Sequence, residues 1–196
     1  KDVRVQAKTG SGKTAAFGLG LLQHIDPARF ETQSLVLCPP RELADQVAGE
    51  LRRLARCLPN IKILMLCGGQ PFGAQRDSLQ HAPHIIVATP GRLLDLEHQN
   101  AVSLDKVEIL VLDEADRMLD MGFAQDIETI AGETRWRKQT MLFSATLEGD
   151  AIKDFAERLL EEPVEVSANP STRERKKIHQ LYYRADDIEH KTTNKI

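Results

Sequence analysis

Ala7-Lys8-Thr9-Gly10-Ser11-Gly12-Lys13-Thr14 lies directly after the apolar run Val3-Arg4-Val5 and before a segment that favours helix from about Lys13. Strand, glycine turn and helix in that order make a phosphate cradle. Glycines let backbone N–H groups turn inward towards phosphate oxygens, and a helix N-terminus adds positive potential. In that arrangement Lys13 reaches the β- and γ-phosphates of a nucleotide, and Thr14 offers its hydroxyl to Mg²⁺. The strict pattern has glycine at its first position, where this chain has Ala7. The competing reading is a glycine-rich turn with an exposed lysine, and the flanking strand and helix argue against it.

Further along the chain, the short apolar runs Leu35-Val36-Leu37, Ile61 to Leu66, Ile85-Ile86-Val87, Ile109 to Leu112 and Met141-Leu142-Phe143 read as strands. They are nearly continuous rather than alternating, which suits a parallel sheet covered on both faces. Helical segments separate them. Arg41 to Leu54 spaces Leu43, Val47, Leu51 and Leu54 for one helix face, and Ala151 to Leu160 does the same with Ile152, Phe155, Ala156 and Leu159. Alternating strands and helices predict an α/β domain with right-handed crossovers. In such sheets ligands bind beyond the carboxyl ends of the strands.

The run Ile109 to Leu112 ends in Asp113-Glu114-Ala115-Asp116. A buried strand ending in carboxylates is what a Walker B site needs. Asp113 is expected to hold Mg²⁺ opposite Thr14, and Glu114 to polarise the water that attacks the γ-phosphate. Asp116 reads as a structural coupler. The alternative is a helix start that favours acidic residues; the phosphate loop in the same chain outweighs it.

The chain has 196 residues, 41% hydrophobic and 28% charged, which suits one soluble domain with a real core. The formal net charge of -3 excludes a strongly basic coat but permits a local nucleic-acid groove. Cys38, Cys57 and Cys67 show no paired spacing, so neither a disulfide framework nor a zinc site is expected, and a cytoplasmic setting is. No apolar run approaches the roughly 20 residues of a membrane span, and no secretory leader is visible. The chain starts at Lys1 rather than Met, which predicts a trimmed start. His81, His84 and His98 lack ligand spacing and read as surface or structural residues.

Four more segments follow the predicted strands: Pro39-Pro40-Arg41-Glu42-Leu43-Ala44, Gly68-Gly69, Thr89-Pro90-Gly91-Arg92 and Ser144-Ala145-Thr146. With AKTGSGKT and DEAD, in this order, they resemble the first RecA-like domain of the DEAD-box RNA helicases, over essentially the whole chain. Lys1 to about Leu94 and about Asp113 to Lys191 resemble two different bacterial members. The resemblance implies a RecA-like P-loop NTPase domain over residues 1–168, with a mostly parallel central sheet and helices on both faces. Residues 169–196, which include STRERKK at Ser171 to Lys177, read as a linker or the start of a second such domain.

The resemblance further implies that Ala7 to Thr14 bind ATP with Mg²⁺, and that Lys13, Asp113 and Glu114 serve its hydrolysis. It assigns coupling of hydrolysis to RNA movement to Ser144, Thr146 and Asp116, and RNA backbone contact to Arg41, Gly69, Thr89, Gly91 and Arg92. The chemistry is consistent: glycines let a phosphate approach, helix starts offer N–H groups, and arginines make bidentate contacts to backbone rather than sequence. The bland alternatives are common turns at Pro90-Gly91 and Gly68-Gly69, surface arginines, and Ser144 or Thr146 as caps of the helix that follows.

Where the family has a threonine this chain has Pro40, which removes a hydroxyl and an N–H at a position expected to touch RNA. The family's upstream adenine-recognition motif and its second RecA-like domain are expected to lie outside this stretch. The implied setting is ribosome assembly with ribosomal RNA as partner, as a monomer, with no membrane involved. Two other classes compete: another P-loop NTPase such as a DNA-directed motor, which TPGR and SAT disfavour, and a non-catalytic RNA- or partner-binding fragment, which a nucleotide titration would separate.

Overall fold

A computed structural model describes residues 1–8, 10, 12–40 and 42–167. The readings made for Thr9, Ser11, Arg41 and residues 169–196 lie outside the described residues. The described strands are β1 (Val3–Gln6), β2 (Ser34–Leu37), β3 (Ile63–Leu66), β4 (Ile85–Ala88), β5 (Ile109–Leu112), β6 (Gln139–Ser144) and β7 (Val164–Ser167). They form one sheet in the order β3-β4-β2-β5-β6-β1-β7, parallel throughout. The helices are α1 (Lys13–His24), α2 (Glu42–Leu54), α3 (Phe72–Ser78), α4 (Pro90–His98), α5 (Ala115–Asp120), α6 (Ala124–Glu133) and α7 (Asp150–Leu159).

The continuous apolar runs are explained by burial on both faces. Every residue of β2, β4 and β5 is buried. Because side chains alternate along a strand, Leu35 and Leu37 join one core while Val36 joins the other. The first core takes Met118, Ile127 and Phe155 from α5, α6 and α7. The second takes Phe17 and Leu21 from α1 and Val47 and Leu51 from α2. The Phe17 and Phe143 rings meet at 5.2 Å between centroids.

Three sequence readings change. The strand predicted from Ile61 starts at Ile63, because the Lys62 N–H donates to His84 Nδ1 at 3.0 Å. His84 is buried, and its Nε2 lies 3.1 Å from the Pro27 carbonyl, so it is the structural histidine expected. An exposed edge strand, β7, pairs with β1; its sequence carries too little apolar character to announce it. Finally, Ser144 and Thr146 do not cap the following helix. That helix starts at Asp150 with Gly149 at its cap, and the Ser144 hydroxyl instead donates to the Thr146 carbonyl at 2.6 Å.

The three cysteines are free, and burial pushes the thiols of Cys38 and Cys67 up. Among the described residues no helix is long and apolar enough to cross a membrane, and no group of His, Cys, Asp and Glu is arranged to hold a metal by itself.

Candidate functional site

All the motifs lie along the carboxyl edge of the sheet, and strand order divides them in two. On the side of β5, β6 and β1, the chain leaves β1 into the phosphate loop, β5 into Asp113-Glu114 and β6 into Ser144-Ala145-Thr146. On the side of β3, β4 and β2, it leaves β2 at Pro39-Pro40, β3 at Gly68-Gly69 and β4 at Thr89 to Arg92.

The phosphate loop turns through Gly10 and Gly12, each at φ 78°. That left-handed backbone costs other residues roughly 1–2 kcal/mol. Gly12 caps α1, so the helix N-terminus opens onto the loop. Lys13, first in the helix, is buried, and its Nζ lies 2.9 Å from Asp113 Oδ1 and 3.5 Å from Glu114 Oε1. Gly10, Gly12, Lys13, Thr14, Asp113 and Glu114 line one cleft of about 520 Å³, whose other wall is α2, including Gln46, Glu50 and Arg53. That helix was legible as a packing element; its contribution to the cleft had no sequence signal. Lys8 is exposed.

Burial raises the Asp113 carboxyl, and the neighbouring Lys13 ammonium opposes that rise. Asp113 Oδ1 is buried, with no aligned hydrogen bond beyond this ion contact. A buried carboxylate oxygen and a threonine that line the same cleft suit a hard divalent cation, which takes oxygen ligands. Glu114 adopts a left-handed backbone, φ 54°, at the cap of α5. That geometry turns the chain sharply so that Asp113 and Glu114 both reach Lys13.

Ala7 is buried, and its N–H donates to the Ser144 carbonyl at 2.9 Å. Gln6 Nε2 donates to the Ala145 carbonyl at 3.3 Å. The phosphate loop is thus tied to the Ser144–Thr146 turn through backbone. Asp116 is partly buried in the first turn of α5, and among the described residues no hydrogen bond joins it to Ser144 or Thr146.

On the other side, Pro40, Gly68, Thr89, Gly91 and Arg92 line a second cleft of about 350 Å³, together with Asp95 and Phe123. Gly69, in the same turn as Gly68, is at φ 84°. Pro90 opens α4; its missing N–H is one the helix start leaves unpaired in any case. A methyl at Gly91 would meet only Phe123, at 4.0 Å, so backbone is open to the cleft there. Arg92 Nη1 donates to the Gln70 carbonyl and to Gln75 Oε1, both at 2.9 Å, and its guanidinium lies 5.7 Å from the Phe72 ring centroid. Gln75, buried, also donates to the Cys67 carbonyl at 2.9 Å. Sequence reading missed Gln75, Phe72 and Phe123, because nothing in their spacing shows that α3 folds back beneath Arg92. A larger cavity of about 660 Å³, beside Phe30 and Pro83, contains none of the motif residues.

A family model described as DEAD/DEAH box helicase matches residues 1–155. The chain is 64% identical over 183 residues to the ATP-dependent RNA helicase DbpA of Escherichia coli (strain K12), covering 93% of this chain and 40% of that protein. It is 60% identical over 196 residues to the ATP-dependent RNA helicase SrmB of the same organism, covering 98% of this chain and 44% of that protein. Among solved structures, a DEAD box protein from Methanococcus jannaschii superposes with a TM-score of 0.80 at 36% identity, over 86% of this chain and 45% of that one. The yeast DEAD-box splicing factor Prp28 does so at 0.80 and 30% identity, over 87% and 43%. The chain therefore spans less than half the length of these relatives, and with its phosphate loop, its Asp-Glu-Ala-Asp strand end and its RecA-like parallel sheet it belongs to the DEAD/DEAH box helicase family.

Proposed function

We propose that residues 1–168 are the first motor domain of an ATP-dependent RNA helicase, and that residues 169–196 lead to a second RecA-like domain. One observation carries the reading: Lys13 Nζ sits 2.9 Å from Asp113 in a cleft walled by Gly10, Gly12 and Thr14. A lysine held by carboxylates at a helix N-terminus is a cation parked where a γ-phosphate belongs. On binding, the phosphate takes over the ammonium, and the loop from Ala7 to Thr14 supplies N–H donors.

The oxygen ligands present fit Mg²⁺, with Thr14 and Asp113 as its holders; when bound, the ion neutralises charge developing between the β- and γ-phosphates. Released from Lys13, Glu114 accepts a hydrogen bond from the attacking water and orients it. Ser144 and Thr146 sense the loop through the Ala7 N–H, and Asp116 joins that coupling once the nucleotide and RNA are in place. RNA backbone lies across the second cleft, against Gly69, Thr89, Gly91 and Arg92, with Arg41 beside Pro40. The chain works as a monomer in the cytoplasm, with ribosomal RNA as the target class, and separates short duplexes locally when the second domain closes on it.

ATP turnover measured with and without RNA, on this chain and on the chain joined to a second RecA-like domain, tests the reading. We expect weak turnover alone, stimulation by RNA and not DNA in the joined protein, and loss of turnover in Lys13→Ala. Equal stimulation by DNA, or turnover surviving in Lys13→Ala, would overturn it.

A further inference from the structure

We propose that the turn from Thr134 to Lys138, at the opposite edge of the sheet, is a second contact for single-stranded RNA, in which Trp136 stacks on a base and Arg135 and Lys138 hold the flanking phosphates. This reading takes only the class of ligand from the proposed function; the site itself is separate.

Trp136 is 71% exposed, and among the described residues only Phe30, at 73%, leaves as much aromatic surface in water. It is not on a loose loop. The Arg137 N–H donates to the Thr134 carbonyl at 3.0 Å, closing the turn beneath it. The Arg137 guanidinium donates to Thr140 Oγ1 at 2.8 Å and to the Ala131 carbonyl at 2.7 Å, and the Thr134 hydroxyl donates to that same carbonyl at 3.0 Å. The indole is therefore presented on a fixed platform, which lowers the ordering cost of stacking.

Two clefts, of about 450 and 140 Å³, adjoin the turn, and Arg135 and Arg137 line both. The carboxylates nearby are largely committed elsewhere. Asp2 accepts from the Thr140 and Glu161 N–H groups, and Glu128 pairs with Arg158 at 2.9 Å. Glu161 also lines the smaller cleft. Arg135 and Lys138 are exposed and reach Asp105 and the half-buried Glu108 only at 3.9 Å each, loose pairs that a phosphate can displace, and Glu108 is already held by Arg29 at 3.0 Å. A flat aromatic face between cations, with three arginines lining the larger cleft beside Ala131 and Leu159, matches a stacked nucleotide whose phosphates need partners. The turn precedes β6 and the phosphate loop lies past the other end of that strand, roughly 20 Å away for six residues. RNA held here is thus a different part of the molecule from RNA in the cleft of Arg92.

Trp136 is the only tryptophan in the chain, so indole fluorescence reports on this turn alone. Titration with a ten-nucleotide uridine single strand at low salt should quench it. The Arg135→Gln, Lys138→Gln variant, altered only at exposed side chains, should weaken the quench-derived affinity about tenfold and flatten its salt dependence. With a labelled strand read by anisotropy, Trp136→Phe should retain most of the affinity and Trp136→Ala should not. No quench at saturating RNA, no effect of the double variant, or equal quenching by polyglutamate would overturn the proposal, the last by pointing to an acidic protein surface. RNA-stimulated turnover reads the other cleft, so either reading can fail without the other.

Discussion

At Asp113 the balance between burial and a counter-charge sets a measurable pH response. Burial raises its carboxyl, with Lys13 opposing. A raised value means the folded state binds the proton more tightly than the unfolded state, so the associated stability is complete below the ordinary carboxylate value and is lost as pH rises through the raised one. Relative to Asp113→Asn, which lacks this titration, the wild type should lose stability as pH rises above the ordinary carboxylate range and the raised carboxyl gives up its proton. Urea unfolding of both proteins across that rise checks it; a flat or rising difference would show that Lys13 dominates. Pro40 offers a second residue-scale test. It lines the cleft with Gly68, Thr89, Gly91 and Arg92 but brings neither hydroxyl nor N–H. Pro40→Thr should tighten RNA binding roughly two- to tenfold, about the net worth of one ordinary hydrogen bond; equal affinities would remove Pro40 from the interface.

The helices show how element packing is tuned by single glycines. In α1, Gly18 faces α2, and a Cβ there would lie 2.9 Å from both Leu51 Cδ2 and Leu54 Cδ1. Gly20, two residues on, would meet nothing within 4 Å. Alanine in a helix gains about 1 kcal/mol over glycine, whereas overpacking costs typically 1–3 kcal/mol. Gly20→Ala should therefore raise the melting temperature, and Gly18→Ala should leave it unchanged or lower it. Calorimetry on the pair decides; equal gains would mean that the α1–α2 contact gives way freely. The spacing of Leu43, Val47, Leu51 and Leu54 made α2 legible. The close approach at Gly18 was not, because it depends on where α1 comes to lie.

Across the whole molecule, the buried Asp2 joins parts distant in sequence. Its carboxylate accepts from Thr140 N at 2.8 Å and Glu161 N at 2.7 Å, tying the chain start to β6 and to the approach of β7. Asp2→Ala leaves two backbone N–H groups without their charged acceptor, and we expect a loss of about 2–3 kcal/mol in urea unfolding. A loss below about 0.5 kcal/mol would show that water replaces the carboxylate at this edge. Nothing in the sequence marks Asp2, because its partners lie 138 and 159 residues away. The seventh strand was hidden for a related reason: Val164 and Val166 are exposed on an edge, so pairing with β1 rather than burial fixes them there.

The sequence alone determined the class of fold and the identity of the motif residues. Continuous apolar runs and the glycine-lysine turn are local signals, each set by the burial or backbone freedom that a few consecutive residues require. Only the tertiary structure decided how those residues meet. Strand order placed β1, β6 and β5 side by side, so that Lys13 reaches Asp113 across a hundred residues, and gathered the loops after β2, β3 and β4 into a separate cleft. It also tied Ser144 to Ala7 through a backbone hydrogen bond instead of using it to cap a helix. Such pairings depend on register and crossover between distant segments, which short-range patterns do not encode.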